Sequence, residues 1–217
     1  MLVREMPDPA PPVPRGRHAP PLEVRLERQR ARLFAAAAAV FARVGYAEAS
    51  AEAISREAGM SKATFYEHFS NKEECIVSLF DVAAEQTRQA VIVGIETGDS
   101  PEGRIRAGIH AFIGALVAWP DHARTLLVEI IGAGPRANAR RDSVLETFAE
   151  LLMAEGALAH EQYGAPKFAS FDDAFALVGA IMELCSRQLR KGLPEDPAAL
   201  EPVIERLVTG LLSASPR

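Results

Sequence analysis

Residues 50–69 read SAEAISREAGMSKATFYEHF, and this stretch decides how the N-terminal third of the chain folds. It contains two short segments that favour helices, and Ser50 and Ser61 stand where a hydroxyl side chain can cap a helix N-terminus. Gly59 lies between the segments and can adopt the left-handed backbone conformation of a tight turn. Two short helices joined by a glycine turn predict a helix-turn-helix.

The stretch is apolar on one side and polar on the other. The apolar positions predict a seam along which the two helices cross closely; they are Ile54, Ala58, Met60, Phe65 and Phe69. The polar positions of the second helix are Lys62, Thr64, Tyr66 and His68. A helix that presents such groups fits the major groove of DNA, about 12 Å wide, with its N-terminal residues at the bases.

Candidate DNA contacts are assigned by side-chain chemistry. We expect Tyr66 and Lys72 to hold phosphates, and Lys62 and Thr64 to reach bases or phosphates. A solvated helix face is the alternative interpretation of these polar positions. For His68, a phosphate contact and a local hydrogen bond both stay open. The full set of candidate contacts is Ser50, Ser61, Lys62, Ala63, Thr64, Tyr66, His68 and Lys72.

A longer string of motifs around this stretch resembles the TetR family of transcriptional regulators. Residues 36–46 read AAAAVFARVGY, residues 54–69 follow, and residues 71–74 read NKEE. The resemblance covers about residues 24–80, a third of the chain. The sequence departs from the usual family pattern in having Ala63 and Phe65 where Gly and Leu are often found, Ser55 in place of Ala, and Ala49-Ser50-Ala51 in place of a Thr-rich segment.

The resemblance implies an all-helical homodimer. Each subunit would have an N-terminal DNA-reading domain and a larger C-terminal domain for ligand binding and dimerisation. The implied partners are a pseudo-palindromic double-stranded DNA operator and an unknown small-molecule effector. The implied activity is repression of nearby genes, released when the effector binds.

The rest of the chain is also predicted to be helical, because apolar residues recur at three- and four-residue steps and no stretch shows sustained strand-like alternation. The sequence therefore predicts an all-α fold of about nine helices: an N-terminal three-helix helix-turn-helix domain and a C-terminal helical bundle. The expected ranges are 22–44, 51–58, 62–69, 72–93, 101–119, 120–132, 137–163, 171–191 and a last helix that ends near 212. The last helix could begin at Pro197 or at Pro202, and the sequence leaves both starts open.

Three regions are expected along the chain. Residues 1–21 hold seven of the fifteen prolines and are expected to form a disordered arm. Residues 22–72 are the expected DNA-binding domain, and residues 73–217 the expected ligand-binding and dimerisation domain. Arg15 and Arg17 of the arm could reach the DNA backbone or minor groove, and a solvated arm is the alternative.

Charge is divided unevenly along the chain. The whole protein of 217 residues carries a net charge of −5, which by itself argues against nucleic-acid binding. Residues 1–72, however, carry a balance of +3, and residues 73–217 a balance of −8. The asymmetry places the basic surface in the region that carries the helix-turn-helix, and it keeps the acidic remainder away from DNA.

Enzyme chemistry has no support in the sequence. The five histidines show no metal-ligand spacing, the two cysteines lie far apart, and no phosphate-binding glycine loop or nucleophile motif is present. No metal, no cofactor and no catalytic residue is therefore expected. The longest apolar run, residues 33–42, is about half of the roughly 20 residues that a membrane span needs. A cytoplasmic protein without a membrane partner is expected.

The candidate ligand pocket is formed by large apolar residues on the middle helices, with core packing as the alternative. The scarcity of basic residues there favours a largely apolar ligand. His110 and Glu129 are the polar candidates, because a charged group on an apolar face is costly unless it is used. The candidate pocket residues are His110, Phe112, Leu116, Trp119, Glu129, Phe148, Leu152, Phe175 and Met182.

The candidate dimer surface lies on the last two helices. The helix over residues 171–191 has two apolar faces, so that one face can pack inside the subunit and the other against a partner. Two such helices from each subunit predict a four-helix interface. Its candidate residues are Leu177, Ile181, Leu184, Ile204, Leu207, Val208 and Leu211.

Two other functional classes compete with the ligand-responsive regulator. One is a DNA-organising helical dimer without an effector, which a closed and filled C-terminal core would favour. The other is a helical enzyme or carrier that uses the apolar bundle, against which the lack of acid–base and metal motifs counts.

Overall fold

The computed structural model describes residues 21–214 and shows an all-α fold, as predicted. The nine α-helices of this range are α1 (Leu22–Glu48), α2 (Ala51–Glu57), α3 (Lys62–His68), α4 (Lys72–Glu96), α5 (Pro101–Ala118), α6 (Pro120–Leu127), α7 (Pro135–Tyr163), α8 (Phe171–Lys191) and α9 (Glu201–Ala214). The predicted arm, including Arg15 and Arg17, lies outside the described residues apart from Pro21.

The ends of α1 and α6 differ from expectation for local reasons. Gly45 has a φ of +78° and interrupts α1 where the sequence predicts its end, but one more turn continues to Glu48. The sixth helix ends at Leu127 rather than near residue 132, and a 3-10 turn, Glu129–Gly132, follows it.

The start of the last helix also has a structural explanation. Asp196 caps a 3-10 turn, Pro197–Leu200, by accepting a hydrogen bond from the Ala198 N–H at 2.9 Å. α9 then begins at Glu201. Pro202 lies in its first turn, where a missing N–H leaves no helical hydrogen bond unmade. Both prolines that the sequence offered as starts are therefore used, one for each segment.

The helix-turn-helix unit, α1–α3, has a filled apolar interior. Leu33, Phe41, Ile54 and Phe65 have no exposed surface, and Phe69 is 1% exposed. Fully burying a side chain of this size contributes about 1.5–3 kcal/mol relative to leaving it in water. The predicted seam therefore forms the core that holds α2 and α3 against α1.

The cavity domain, α4–α9, is a bundle built on antiparallel helix pairs. α4 packs along α5, α7 along α8, and α9 against α5 and α8. α6 is the connecting element, because it contacts α1 of the helix-turn-helix unit as well as α4 and α8. A change in the packing of this bundle can therefore reach α1 through α6.

Candidate nucleic-acid interface and ligand cavity

The local geometry of the helix-turn-helix follows its capping residues. Ser50 Oγ accepts a hydrogen bond from the Ala53 N–H at 3.1 Å, and Ser61 Oγ accepts one from the Thr64 N–H at 3.1 Å. Gly59 has a φ of +63°, which a residue with a side chain rarely adopts. Both predicted caps and the predicted turn are thus confirmed, and together they fix the angle at which α3 leaves α2.

α3 is anchored on one side and exposed on the other. Phe65 and Phe69 are buried, with ring centroids 5.4 Å apart. Lys62 and Ala63 are exposed, and Tyr66 is 50% exposed. The Lys62 ammonium lies 6.0 Å from the centre of the Tyr66 ring. An ammonium, a phenol and a small side chain thus face solvent together from a rigidly seated helix.

Two candidate contacts on α3 take part in local hydrogen bonds. His68 Nε2 lies 3.4 Å from Gln29 Oε1 of α1, and burial lowers the pKa of this histidine. The local hydrogen bond that the sequence left open is therefore present for His68, and its phosphate contact stays a prediction. The Thr64 hydroxyl lies 3.0 Å from the Ser61 hydroxyl and supports the same N-terminal cap.

The Lys72 side chain has intramolecular partners that the sequence did not suggest. Its ammonium donates hydrogen bonds to the carbonyls of Tyr46, Ala47 and Ala49 at 2.9, 2.9 and 3.0 Å, and it lies 4.5 Å from the centre of the Tyr46 ring. An ammonium has three N–H donors, and all three are used here. In this structure the side chain fastens the start of α4 to the end of α1, and its predicted phosphate contact stays a prediction.

The cavity domain encloses a cavity of about 370 Å³ between α4, α5, α7, α8 and α9. Its volume falls in the range of about 300–1,000 Å³ that is common for small-molecule sites. Four predicted pocket residues line it: Phe112, Phe148, Leu152 and Met182. Sequence reasoning missed the aliphatic side chains of α4 and α5 that form much of the remaining wall, among them Val91, Ile95, Ile105 and Ile109.

Five predicted pocket residues lie outside this cavity: His110, Leu116, Trp119, Glu129 and Phe175. His110 is exposed, and its Nδ1 lies 3.0 Å from Glu201 Oε1. Leu116 is packed in the core, Trp119 lies at the junction of α5 and α6, and Phe175 stacks on Phe171. Helical periodicity shows which residues share a face, but it does not show which face turns to a cavity, so the sequence could not predict that these five residues lie outside the cavity lining.

An ion pair that the sequence did not suggest lies in the cavity wall. Arg104 of α5 and Glu155 of α7 both line the cavity, and Arg104 Nη2 lies 2.6 Å from Glu155 Oε2. The two residues are 51 positions apart, and no local pattern connects them.

Part of the predicted dimer surface is buried within the subunit. Leu177 and Ile204 are 1% exposed and Val208 is 5% exposed, so these three side chains pack inside the subunit. Ile204 and Val208 line the cavity, together with Ile181. The remaining candidates are partly exposed: Leu184, Leu207 and Leu211.

A polar connection joins the cavity domain to the helix-turn-helix unit. Glu129 Oε2 accepts a hydrogen bond from the Tyr46 N–H at 2.9 Å, immediately after the Gly45 interruption of α1. Glu129 Oε1 also accepts one from Arg124 Nε of α6 at 3.2 Å, and Arg124 Nη1 lies 3.5 Å from the Leu189 carbonyl of α8. Glu129 thus ties the end of α1 to α6 rather than serving the cavity.

Several other features bear on function. Burial raises the pKa of both Cys75 and Cys185 to about 12, so their thiols stay protonated and unreactive. Between residues 21 and 214, no three histidine, cysteine or acidic side chains come together as metal ligands would. In the same range, no helix combines the length and hydropathy that a membrane crossing requires.

The arrangement is that of a helix-turn-helix protein with a separate apolar cavity. Residues 33–79 match the family model described as bacterial regulatory proteins, tetR family. This region, which holds most of the helix-turn-helix unit, is therefore similar to the DNA-binding part of tetR-family regulatory proteins.

Individual relatives agree with this similarity. The HTH-type transcriptional activator FasR of Mycolicibacterium smegmatis is 31% identical over 86 residues, which span 40% of this chain and 39% of FasR. The match therefore extends over about two fifths of that relative. The fatty acid degradation regulator FadR of Bacillus halodurans has a TM-score of 0.74 at 21% identity, over 84% of this chain and 96% of FadR.

A second structural relative is FadR of Bacillus subtilis, solved in complex with stearoyl-CoA. Its TM-score is 0.73 at 20% identity, over 82% of this chain and 97% of that one. At these identities, the likeness concerns the fold.

Proposed function

We propose that this protein is a dimeric, ligand-responsive transcriptional regulator that acts in the cytoplasm and reads a pseudo-palindromic operator with α3. One observation carries the proposal: α3 sits on the buried Phe65 and Phe69 and turns Lys62, Ala63 and Tyr66 to solvent. Lysine and tyrosine side chains suit phosphates and base edges, and a small side chain allows close approach to a thymine methyl.

The effector in this proposal is a small, largely apolar molecule bound in the cavity of about 370 Å³. The cavity counts against the alternative of an effector-independent DNA-organising dimer, which needs a filled core. The stearoyl-CoA complex of a protein with the same fold supports an apolar effector as well.

Coupling between the cavity and α3 would run through α6. Effector binding shifts the population of two subunit arrangements only if the effector binds one of them better. α8 lines the cavity, and its Leu189 carbonyl lies within reach of Arg124 of α6. The Glu129 carboxylate accepts hydrogen bonds both from Arg124 and from the Tyr46 N–H of α1. A shift of α8 therefore changes the support of α1, and with it the position of α3.

Dimerisation would use the faces of α8 and α9 that point away from the cavity. Ala176 and Ala180 of α8 and Gly210 of α9 are exposed, and small residues let helices of two subunits approach closely. Ala180→Arg is expected to give a monomer with lost DNA affinity in analytical ultracentrifugation and DNA titration. Ala154→Arg, at an exposed position of α7, is the matched control and is expected to remain dimeric.

The experiment that tests the function is a binding selection from random duplex DNA. The expected result is enrichment of a pseudo-palindrome whose half-site centres are about 34–36 Å apart, one helical turn of DNA. Affinity for the selected duplex is expected to fall steeply with salt, because phosphate contacts release counterions. Failure to enrich any sequence would overturn the proposal.

The sign of regulation needs its own measurement. We propose repression, so a reporter with the selected duplex over its promoter is expected to lose expression when the protein is present, and to regain it with a cavity ligand. A rise in expression would instead make the protein an activator, as FasR is named.

A further inference from the structure

The cavity has one polar feature that its apolar walls do not explain. Arg104 and Glu155 form an ion pair in the wall, and their side chains are only 22% and 29% exposed. Withdrawing two charges this far from water costs free energy that mutual attraction offsets only partly. The third charged side chain of the cavity lining, Glu102, is exposed to solvent and does not take part in the pair.

The Arg104 guanidinium uses one of its N–H donors in the bond to Glu155. A guanidinium has five N–H donors, and within residues 21–214 the Arg104 guanidinium donates one hydrogen bond, to Glu155 Oε2. The contact is a single bond through Nη2, whereas a guanidinium can hold a carboxylate or phosphate with two parallel bonds. Arg104 can therefore bind an acid that is better oriented than Glu155 at the edge of an apolar chamber.

We propose that the effector is an apolar chain with one acidic head group, which replaces Glu155 at Arg104. This inference rests on the proposed function, in which the cavity is the effector site. The exchange keeps one negative charge beside Arg104. The Glu155 carboxylate, which is already partly exposed, rotates outward and becomes solvated. The apolar chain fills the cavity between α4, α5 and α7, where Val91, Ile105 and Leu152 form the wall.

The geometry favours an acid over a cationic head group. A cation would have to bind Glu155 and release Arg104, whose long side chain is more buried than that of Glu155. Arg104 also lies in the first turn of α5, which begins at Pro101, and the helix dipole there favours negative charge. The deeper burial of Arg104 and the helix dipole both favour a carboxylate or phosphate at Arg104.

The experiment compares four ligands that share a twelve-carbon chain: dodecanoate, dodecyl phosphate, 1-dodecanol and dodecyltrimethylammonium. Affinity is measured by isothermal titration calorimetry on the full chain at pH 8, below the concentration at which micelles form. The wild-type protein is expected to bind at least one of the two acids about tenfold more tightly than the alcohol, which is about 1.4 kcal/mol. The two acid arms distinguish a carboxylate from a phosphate head group.

Variants of the ion pair give the specific readout. Arg104→Gln is expected to remove the preference for the acid while leaving the affinity for 1-dodecanol unchanged. Glu155→Gln is expected to strengthen acid binding without strengthening alcohol binding, because the competing carboxylate is gone. Arg106→Gln is the matched control, since Arg106 lies on the same helix with its side chain 60% exposed and outside the cavity lining.

The outcomes separate this inference from the proposed function. Equal binding of the acids and the alcohol, tightest binding of the ammonium, or no change with Arg104→Gln would each overturn the acidic-head inference while leaving an effector cavity in place. Binding of none of the four ligands would contradict the proposed effector cavity itself. If circular dichroism shows that Arg104→Gln unfolds, Glu155→Gln still tests the inference. Acid binding by this variant that is not stronger than that of the wild type would overturn it.

Discussion

The helix-turn-helix unit and the cavity domain are both helical, but they use their apolar residues differently. In the helix-turn-helix unit, Phe41 and Phe65 have no exposed surface, and the interior is filled. In the cavity domain, Phe112 and Phe148 border about 370 Å³ of empty space. A filled core holds one shape rigidly, whereas a hollow one leaves room for a ligand to select among shapes. The difference matches the proposed function, in which the helix-turn-helix unit presents α3 in a fixed orientation and the cavity domain responds to an effector.

The largest expected contrast comes from removing one aromatic ring in each region. Phe65→Ala is expected to cost about 3–5 kcal/mol of unfolding free energy, because it leaves a new cavity in a packed core. Phe148→Ala is expected to cost about 1.5–3 kcal/mol, since one side of the ring already faces empty space. Urea denaturation measures both losses. Equal losses would contradict the view that the two interiors are packed differently.

Adding volume provides the converse test. Ala37→Leu, at a position with no exposed surface in α1, is expected to lose about 1–3 kcal/mol through overpacking. Ile105→Phe extends a cavity-lining side chain into the empty space, and it is expected to leave the melting temperature unchanged or raised. The same variant should bind cavity ligands more weakly. Destabilisation of both variants by the same amount would indicate that the cavity closes in solution.

Glu129→Gln tests whether the two regions communicate through the Tyr46 and Arg124 contacts. The amide keeps the shape but loses the charge that strengthens both hydrogen bonds, so about 1–1.5 kcal/mol of stability is expected to be lost. The effect of a cavity ligand on DNA affinity should shrink, with ligand affinity itself unchanged. A full ligand response in this variant, measured by DNA titration with and without ligand, would place the coupling elsewhere.

The smallest effect is expected at matched helix caps. Ser61 Oγ and Ser100 Oγ each accept a backbone N–H at 3.1 Å, at the starts of α3 and α5. Replacing either with Ala is expected to cost about 1 kcal/mol of stability. Only Ser61→Ala should also weaken DNA binding, because it loosens the start of α3. An equal loss of DNA affinity for Ser100→Ala would show that global stability, and not the position of α3, controls binding.

The same contrast explains how much the sequence could predict. The helix-turn-helix unit combines caps at Ser50 and Ser61, a turn at Gly59 and an apolar seam, and each of these signals acts over a few residues. The structure reproduces all of them. The hydrogen bonds of Lys72 could not be predicted, because they depend on where the carbonyls at the end of α1 lie in space, and the residue types at positions 46–49 carry no information about that.

The cavity domain was predicted less well because its features depend on long-range packing. Leu177, Ile204 and Val208 lie on apolar helix faces, and a face looks the same in sequence whether it meets the core, a cavity or a partner. The Arg104–Glu155 pair joins residues 51 positions apart, so the helical periodicity of the sequence could not predict it. Only the relative placement of α5 and α7 brings the two charges together.

The central claim is that α3 reads DNA, and one affinity measurement tests it most directly. The duplex enriched by selection is titrated with wild-type protein, with Lys62→Ala/Tyr66→Ala, and with Tyr163→Ala/Lys167→Ala, which makes the same chemical changes at exposed positions of the cavity domain. The α3 variant is expected to lose about a hundredfold in affinity, since each lost contact costs about 1–3 kcal/mol, while the control binds as the wild type does. An α3 variant that binds as tightly as the control would contradict the claim.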